Sequence, residues 1–306
     1  MTTAKPRIGF VGVGLMGHGM ARNLLAKGFP VAVIGHRNRA PVESLLAQGA
    51  TEAVDARRLA ESVDILFICV TGTPEVEAVI GAGSGDGVLA GARPDLVVVD
   101  CSTSEPDSTL RIAAALAVKG AAYADAPLAR TPKEAEAGRL NTMVGADART
   151  FACIEPALQA CCENIFHAGP VGAGHKLKLI YNFLTMGMAA LIAEAMAAAA
   201  KTGVDLDQLY KVTSAGGANS GIFQLIVPKA LEGDFTGLQF AIANARKDLR
   251  YYTHMTETAP VVGFLAEAVH QTLIQAVALG YGDKFVPSLI EMQEKINGIT
   301  IGPRRT

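Results

Sequence analysis

The chain has 306 residues, half of them apolar; that length exceeds the size at which a single core usually stops growing, so two domains are expected. A formal net charge of −2, with no long block of one sign, excludes a nucleic-acid footprint, an acidic tail and a membrane-surface helix. Small, roughly neutral partners are favoured.

From the N-terminus, MTTAKPRIGF enters a strand with no basic region followed by an apolar targeting segment, which predicts a cytoplasmic protein. Short β-branched runs then alternate with helical segments: RIGFVGVG, VAVIG, DILFICV, DLVVVDCS, AAYADAP, NTMVG and NIFHAG read as strands. This alternation predicts an α/β fold, a doubly wound, mostly parallel sheet of Rossmann type. After Gly169-Pro170 the pattern becomes helical throughout. The expected division is residues 1–170 as a dinucleotide-binding domain and 171–306 as an all-α domain, joined by a long interdomain helix. The apolar run from Leu179 to Ala200 has the length of a membrane span, but its alanine content and Asn182, Thr185 and Glu194 fit a helix buried between protein surfaces.

The first strand and the helix after it enclose Gly12-Val13-Gly14-Leu15-Met16-Gly17, the GxGxxG spacing in its proper setting. There Gly12 permits a tight turn, Gly14 admits a pyrophosphate, Gly17 lets helix pack on strand, and the helix N-terminus attracts the negative charge. The second strand ends at Gly35, where an NAD site usually offers a carboxylate to the ribose. His36, Arg37, Asn38 and Arg39 follow instead, two guanidinium groups able to hold a 2′-phosphate, so NADP is the expected cofactor and NAD the second option.

These residues resemble a family, the β-hydroxyacid dehydrogenases, relatives of 3-hydroxyisobutyrate dehydrogenase and tartronate semialdehyde reductase. The likeness runs from GVGLMGHGMARNLLAKG through DCSTSEP and DAPLARTPKEAEAGRLNTMVGA to GPVGAGHKLKLIYN and ARKDL, nearly the whole chain. It implies a cofactor site that also draws on Val70, Thr71, Thr103 and Lys247, with Ser102 and Thr103 beside the nicotinamide ribose. It places the family's catalytic lysine at Lys178 and its assisting asparagine at Asn182. The chemistry agrees, because hydride transfer between alcohol and carbonyl needs a proton donor and acceptor at the oxygen, and a lysine in a partly dry site can serve. Asn182 stands one helical turn from Lys178 on the same face, whereas Lys176 lies about 200° round the helix.

Two departures accompany the matches. Tyr181 stands where the family usually has a second asparagine. The family's Ser-Gly-Gly, which holds a substrate carboxylate, is replaced by Ala129-Arg130-Thr131. An arginine–threonine pair there is similar to the sulfolactaldehyde reductases, and Arg130 suits a sulfonate or a carboxylate. Lys247, in the KDL motif, is expected to reach cofactor or substrate.

The five cysteines form no Cys-x-x-Cys pair and no histidine pair has metal-ligand spacing, so reduced, mostly buried thiols and no metal site are expected. No GxSxG elbow or Walker loop is present. The expected activity is interconversion of a small 3-hydroxy acid, or hydroxy sulfonate, and its semialdehyde, by a homodimer or homotetramer. The other reading is a dinucleotide-binding sensor or scaffold on the same fold. The altered substrate segment motivates it, and Lys178 with Asn182 speaks against it.

Overall fold

In the computed structural model, residues 5–81 and 85–301 are described. The chain divides into two units, residues 1–178 and 179–306. The first unit therefore runs eight residues beyond the sequence division, into the long helix.

Nine strands occur among the described residues: β1 (Ile8–Val11), β2 (Val31–Ile34), β3 (Thr51–Ala53), β4 (Ile65–Ile68), β5 (Val97–Asp100), β6 (Ala122–Asp125), β7 (Leu128–Ala129), β8 (Leu140–Gly145) and β9 (Cys162–Gly169). Strands β3-β2-β1-β4-β5-β6 lie side by side in parallel, β8 runs antiparallel to β6 and β7, and β9 pairs parallel with β8. The first six follow the doubly wound order, so the chain reverses direction across the sheet between β1 and β4, where such folds place ligands.

The strands carry near-continuous apolar runs because both faces are covered. Ile8, Phe10, Ile65, Phe67, Val97 and Val99 feed one buried cluster, while Val11, Leu66, Ile68 and Val98, at the intervening positions, feed another. Covering them are α1 (Gly17–Ala26), α2 (Ala40–Leu46), α3 (Ala56–Ser62), α4 (Thr73–Ile80), α5 (Val88–Gly91), α6 (Pro106–Ala117), α7 (Pro132–Glu136) and α8 (Ala148–Leu158).

Helix α9 (Ala173–Thr202) opens in the first unit and continues into the second. The second unit adds α10 (Leu206–Ala215), α11 (Gly221–Leu231), α12 (Ile242–Thr258), α13 (Phe264–Ala278) and α14 (Leu289–Asn297), with no strand among its described residues. Its core takes Met186, Ala189, Ile192, Ala193 and Met196 from α9, a helical repeat of three and four. By length and composition α9 alone among the described helices is apolar enough to cross a membrane.

Candidate active site

The glycine loop after β1 separates what the protein needs from what a ligand needs. Gly12 has φ +90°, and a Cβ there would press on the Cys69 carbonyl at the end of β4; at Gly17 a Cβ would press on the Gly12 carbonyl. Both glycines are demanded by the fold itself. Around Gly14 a Cβ would meet no protein atom within 4 Å, so the fold itself places no demand on that glycine and its backbone is open to approach. Helix α1 begins without a side-chain cap and without an acidic residue in its first turn, and Leu15 beside it is exposed. Open backbone at a bare helix N-terminus fits a pyrophosphate.

At the end of β2 the two arginines part company. Arg39 makes a bidentate pair with Glu52 of β3, at 2.6 and 2.9 Å, and its guanidinium holds the Glu52 carboxyl below the usual range. Arg37 and His36 are exposed, and Asn38 accepts the Ala40 amide to open α2. The adjacent carboxylate that the sequence lacks at Gly35 is thus supplied in space by β3, where it neutralises one of the two guanidinium groups. Beside the switch point, the Ser102 hydroxyl accepts the Val70 amide at 3.0 Å and is buried, whereas Thr103 is half-buried and Thr71 exposed.

Three buried residues absent from the expected site hold these parts together. Asp125, at the end of β6, accepts the Gly172 amide at 2.6 Å and the His175 amide at 2.7 Å, so a carboxylate caps the head of α9. Room for it comes from glycine: a Cβ at Gly145 or Gly174 would fall under 3.0 Å from that carboxylate. Asp100, at the end of β5, accepts the Ser102 amide at 2.8 Å and the Ser104 and Tyr123 hydroxyls, both at 3.0 Å. Burial, with Asp100 adding to it, pushes the Tyr123 phenol well above its ordinary range, so it stays a donor. His175 completes the group. The sequence signal for all three was an aspartate at the end of each of two buried strands and a Gly-x-Gly at the head of the long helix.

Lys178 follows on α9 and is 8% exposed, while Lys176 on the other side of the helix is exposed. The segment from Ala129 to Thr131 is tied down by carboxylates. Arg130 has φ +83°, a left-handed conformation that favours glycine. One terminal nitrogen of its guanidinium, Nη1, donates to the Arg139 carbonyl at 2.7 Å and to Glu163. The Thr131 amide and hydroxyl both donate to Glu134, a capping box that opens α7 and lowers the Glu134 pKa. Ala129 is buried.

In the second unit, Asn182 is 4% exposed and donates from Nδ2 to Asp248 Oδ2 at 2.6 Å. This turns the amide so that Oδ1 is left as the acceptor. Lys247 Nζ lies 2.8 Å from the other oxygen of Asp248 and over the Tyr251 ring. Asp248, part of the KDL motif but given no role from sequence, is the hub of this half. The cysteines are unpaired thiols, three buried, Cys69 half-buried and Cys153 exposed, and burial pushes Cys69 up to about 12.

A family model described as the NAD binding domain of 6-phosphogluconate dehydrogenase matches residues 7–169, and the NAD-binding model of NADP-dependent 3-hydroxyisobutyrate dehydrogenase matches residues 172–292. The chain belongs to the β-hydroxyacid dehydrogenase family. Members of this family are NAD(P)-dependent hydroxyacid dehydrogenases. Among relatives, 2-(hydroxymethyl)glutarate dehydrogenase of Eubacterium barkeri is 32% identical over 96% of this chain and 97% of its own. The 3-sulfolactaldehyde reductase of Escherichia coli is 31% identical over 96% and 97%. A solved 3-hydroxyisobutyrate dehydrogenase of Salmonella typhimurium superposes with a TM-score of 0.79 at 30% identity, covering 94% of this chain and 99% of that one. The chain therefore shares its fold with the Salmonella protein and spans nearly the full length of all three.

Proposed function

We propose that the protein interconverts a small 3-hydroxy acid, or a hydroxy sulfonate, and its semialdehyde, with NADP(H) preferred and NAD(H) as the second option. The observation that carries this reading is Lys178, a buried lysine three residues past a carboxylate-capped helix start. Bound nicotinamide dinucleotide supplies or takes the hydride. Lys178 gives the carbonyl oxygen its proton in reduction and withdraws it in oxidation. Asn182, held by Asp248, offers Oδ1 to orient the substrate. The loop from Gly12 to Gly17 holds the pyrophosphate, Arg37 meets the 2′-phosphate, and Ser102 with Thr103 lines the nicotinamide side.

The tail of the substrate falls to Arg130. Its Nη1 is occupied, and no hydrogen bond engages its Nε and Nη2 among the described residues; those two atoms form the edge that receives a carboxylate or sulfonate in bidentate fashion. Holding a remote charge places the reacting carbon. NADPH consumption against short aldehydes ending in carboxylate, sulfonate or a neutral group tests the reading, with Arg130→Ala in parallel. Anionic substrates should turn over and the variant should lose them while sparing the neutral aldehyde. Equal loss of all three would remove Arg130 from the site.

The second reading, a dinucleotide-binding sensor or scaffold, draws on the carboxylates that engage Arg130 and Thr131. Tight NADPH binding by calorimetry without turnover of any aldehyde or hydroxy acid would favour it. The reading also places the protein in the cytoplasm as a homodimer or homotetramer, with α9 as an internal helix and not a membrane span. Leu177, Tyr181, Leu184 and Leu191, exposed and apolar along one side of α9, support a protein partner; sedimentation giving a monomer would oppose it.

A further inference from the structure

We propose that His175 is a positioning residue for this reaction: it ties the loop carrying Ser102 and Thr103 to the first turn of α9, and so fixes Lys178 relative to the cofactor's reactive ring. The inference rests on the oxidoreductase reading above.

The imidazole is fully buried and both its nitrogens are engaged across the fold. Nε2 lies 3.2 Å from the Ser102 carbonyl oxygen, which only accepts, so Nε2 carries a proton. Nδ1 lies 2.7 Å from the Thr109 hydroxyl on α6. The backbone amide of the same residue donates to Asp125 at the end of β6. One residue thus joins the loop after β5, helix α6, the end of β6 and the head of α9. Through the Ser102 hydroxyl, which accepts the Val70 amide, the tie reaches the end of β4 at the switch point.

Packing alone does not account for a histidine here. Burying two polar ring nitrogens costs free energy unless both find partners, and an apolar side chain would fill the same space without that cost. What the ring adds is a pair of directional bonds between segments that bear the cofactor side of the site and the helix that bears the proton donor. Asp100 Oδ2 and Asp125 Oδ2 flank it at 3.8 and 3.9 Å, each already holding the donors described above. Lys178 follows three residues later, on the neighbouring position of the same helical face. Slack in the tie should therefore disturb the approach of lysine to the reacting oxygen, a geometry on which rate depends more than binding does.

The test compares His175→Leu, which has no donor, with His175→Gln, whose amide can still reach the Ser102 carbonyl. In the leucine variant kcat should fall by about 10- to 100-fold, with KM and the NADPH Kd nearly unchanged, and glutamine should restore most of it. Hydrogen exchange in the NADPH complex should quicken in residues 101–105 for leucine and return to normal for glutamine. Should the leucine variant not fold, Thr109→Val, which removes the Nδ1 partner, should give the same pattern to a smaller degree. An unchanged kcat, or parallel losses of kcat, NADPH affinity and melting temperature that glutamine does not rescue, would overturn the proposal. Wild-type protein that binds NADPH but reduces no aldehyde defeats the oxidoreductase reading instead, and unchanged exchange in residues 101–105 would then overturn the tie itself.

Discussion

At the scale of single residues, charge is assigned by partners in space. Arg37 and Arg39 are two positions apart in one basic stretch, yet Arg39 is spent on Glu52 while Arg37 remains exposed. Arg37→Ala should weaken NADPH binding by about tenfold or more and leave NADH binding nearly unchanged; Arg39→Ala should affect both little, as calorimetry with the two cofactors would show. Equal effects of the two substitutions would return Arg39 to the phosphate site. From the sequence alone both arginines read as phosphate ligands, because Glu52 belongs to a three-residue strand too short to show an apolar pattern. Lys178 and Asn182 were singled out by the family likeness, and both side chains are buried. Asp100, Asp125, His175 and Asp248 left at most a faint signal, such as an aspartate at a strand end, because a buried polar group declares itself only when its partners converge on it.

At the scale of elements, the strand pattern was readable because two buried faces require unbroken apolar runs in β1, β4 and β5. The short pieces β3 and β7 gave no such signal; register on a neighbour makes them strands. The join of sheet to α9 depends on close approach. Gly174→Ala would drive a Cβ into the Met143 and Asp125 carbonyls and the Asp125 carboxylate, so it should cost about 1–3 kcal/mol, measured by urea unfolding. Gly14→Ala is the counterpart: it meets no protein atom, so it should leave the unfolding midpoint in place and weaken NADPH binding. If Gly14→Ala lowered stability as much as Gly174→Ala, the loop would be shaped by the fold and not by a ligand.

At the scale of the whole molecule, the first strand is anchored by charge. The Arg7 guanidinium and amide, with Arg93, hold the Asp64 carboxyl at about 2, below its ordinary 3.8. A depressed folded value means that its contribution to stability is complete above about pH 4 and is lost as the pH falls toward 2. Asp64→Asn should therefore flatten the acid limb of stability between those values, followed by circular dichroism, and an unaltered limb would assign it to other carboxylates. The proposed reaction turns on whether Lys178 moves the proton. The deciding measurement is NADPH affinity and aldehyde turnover of Lys178→Ala beside the wild type. Affinity should be unchanged and turnover reduced by about 10²-fold or more. Near-normal turnover in that variant would contradict proton transfer by Lys178.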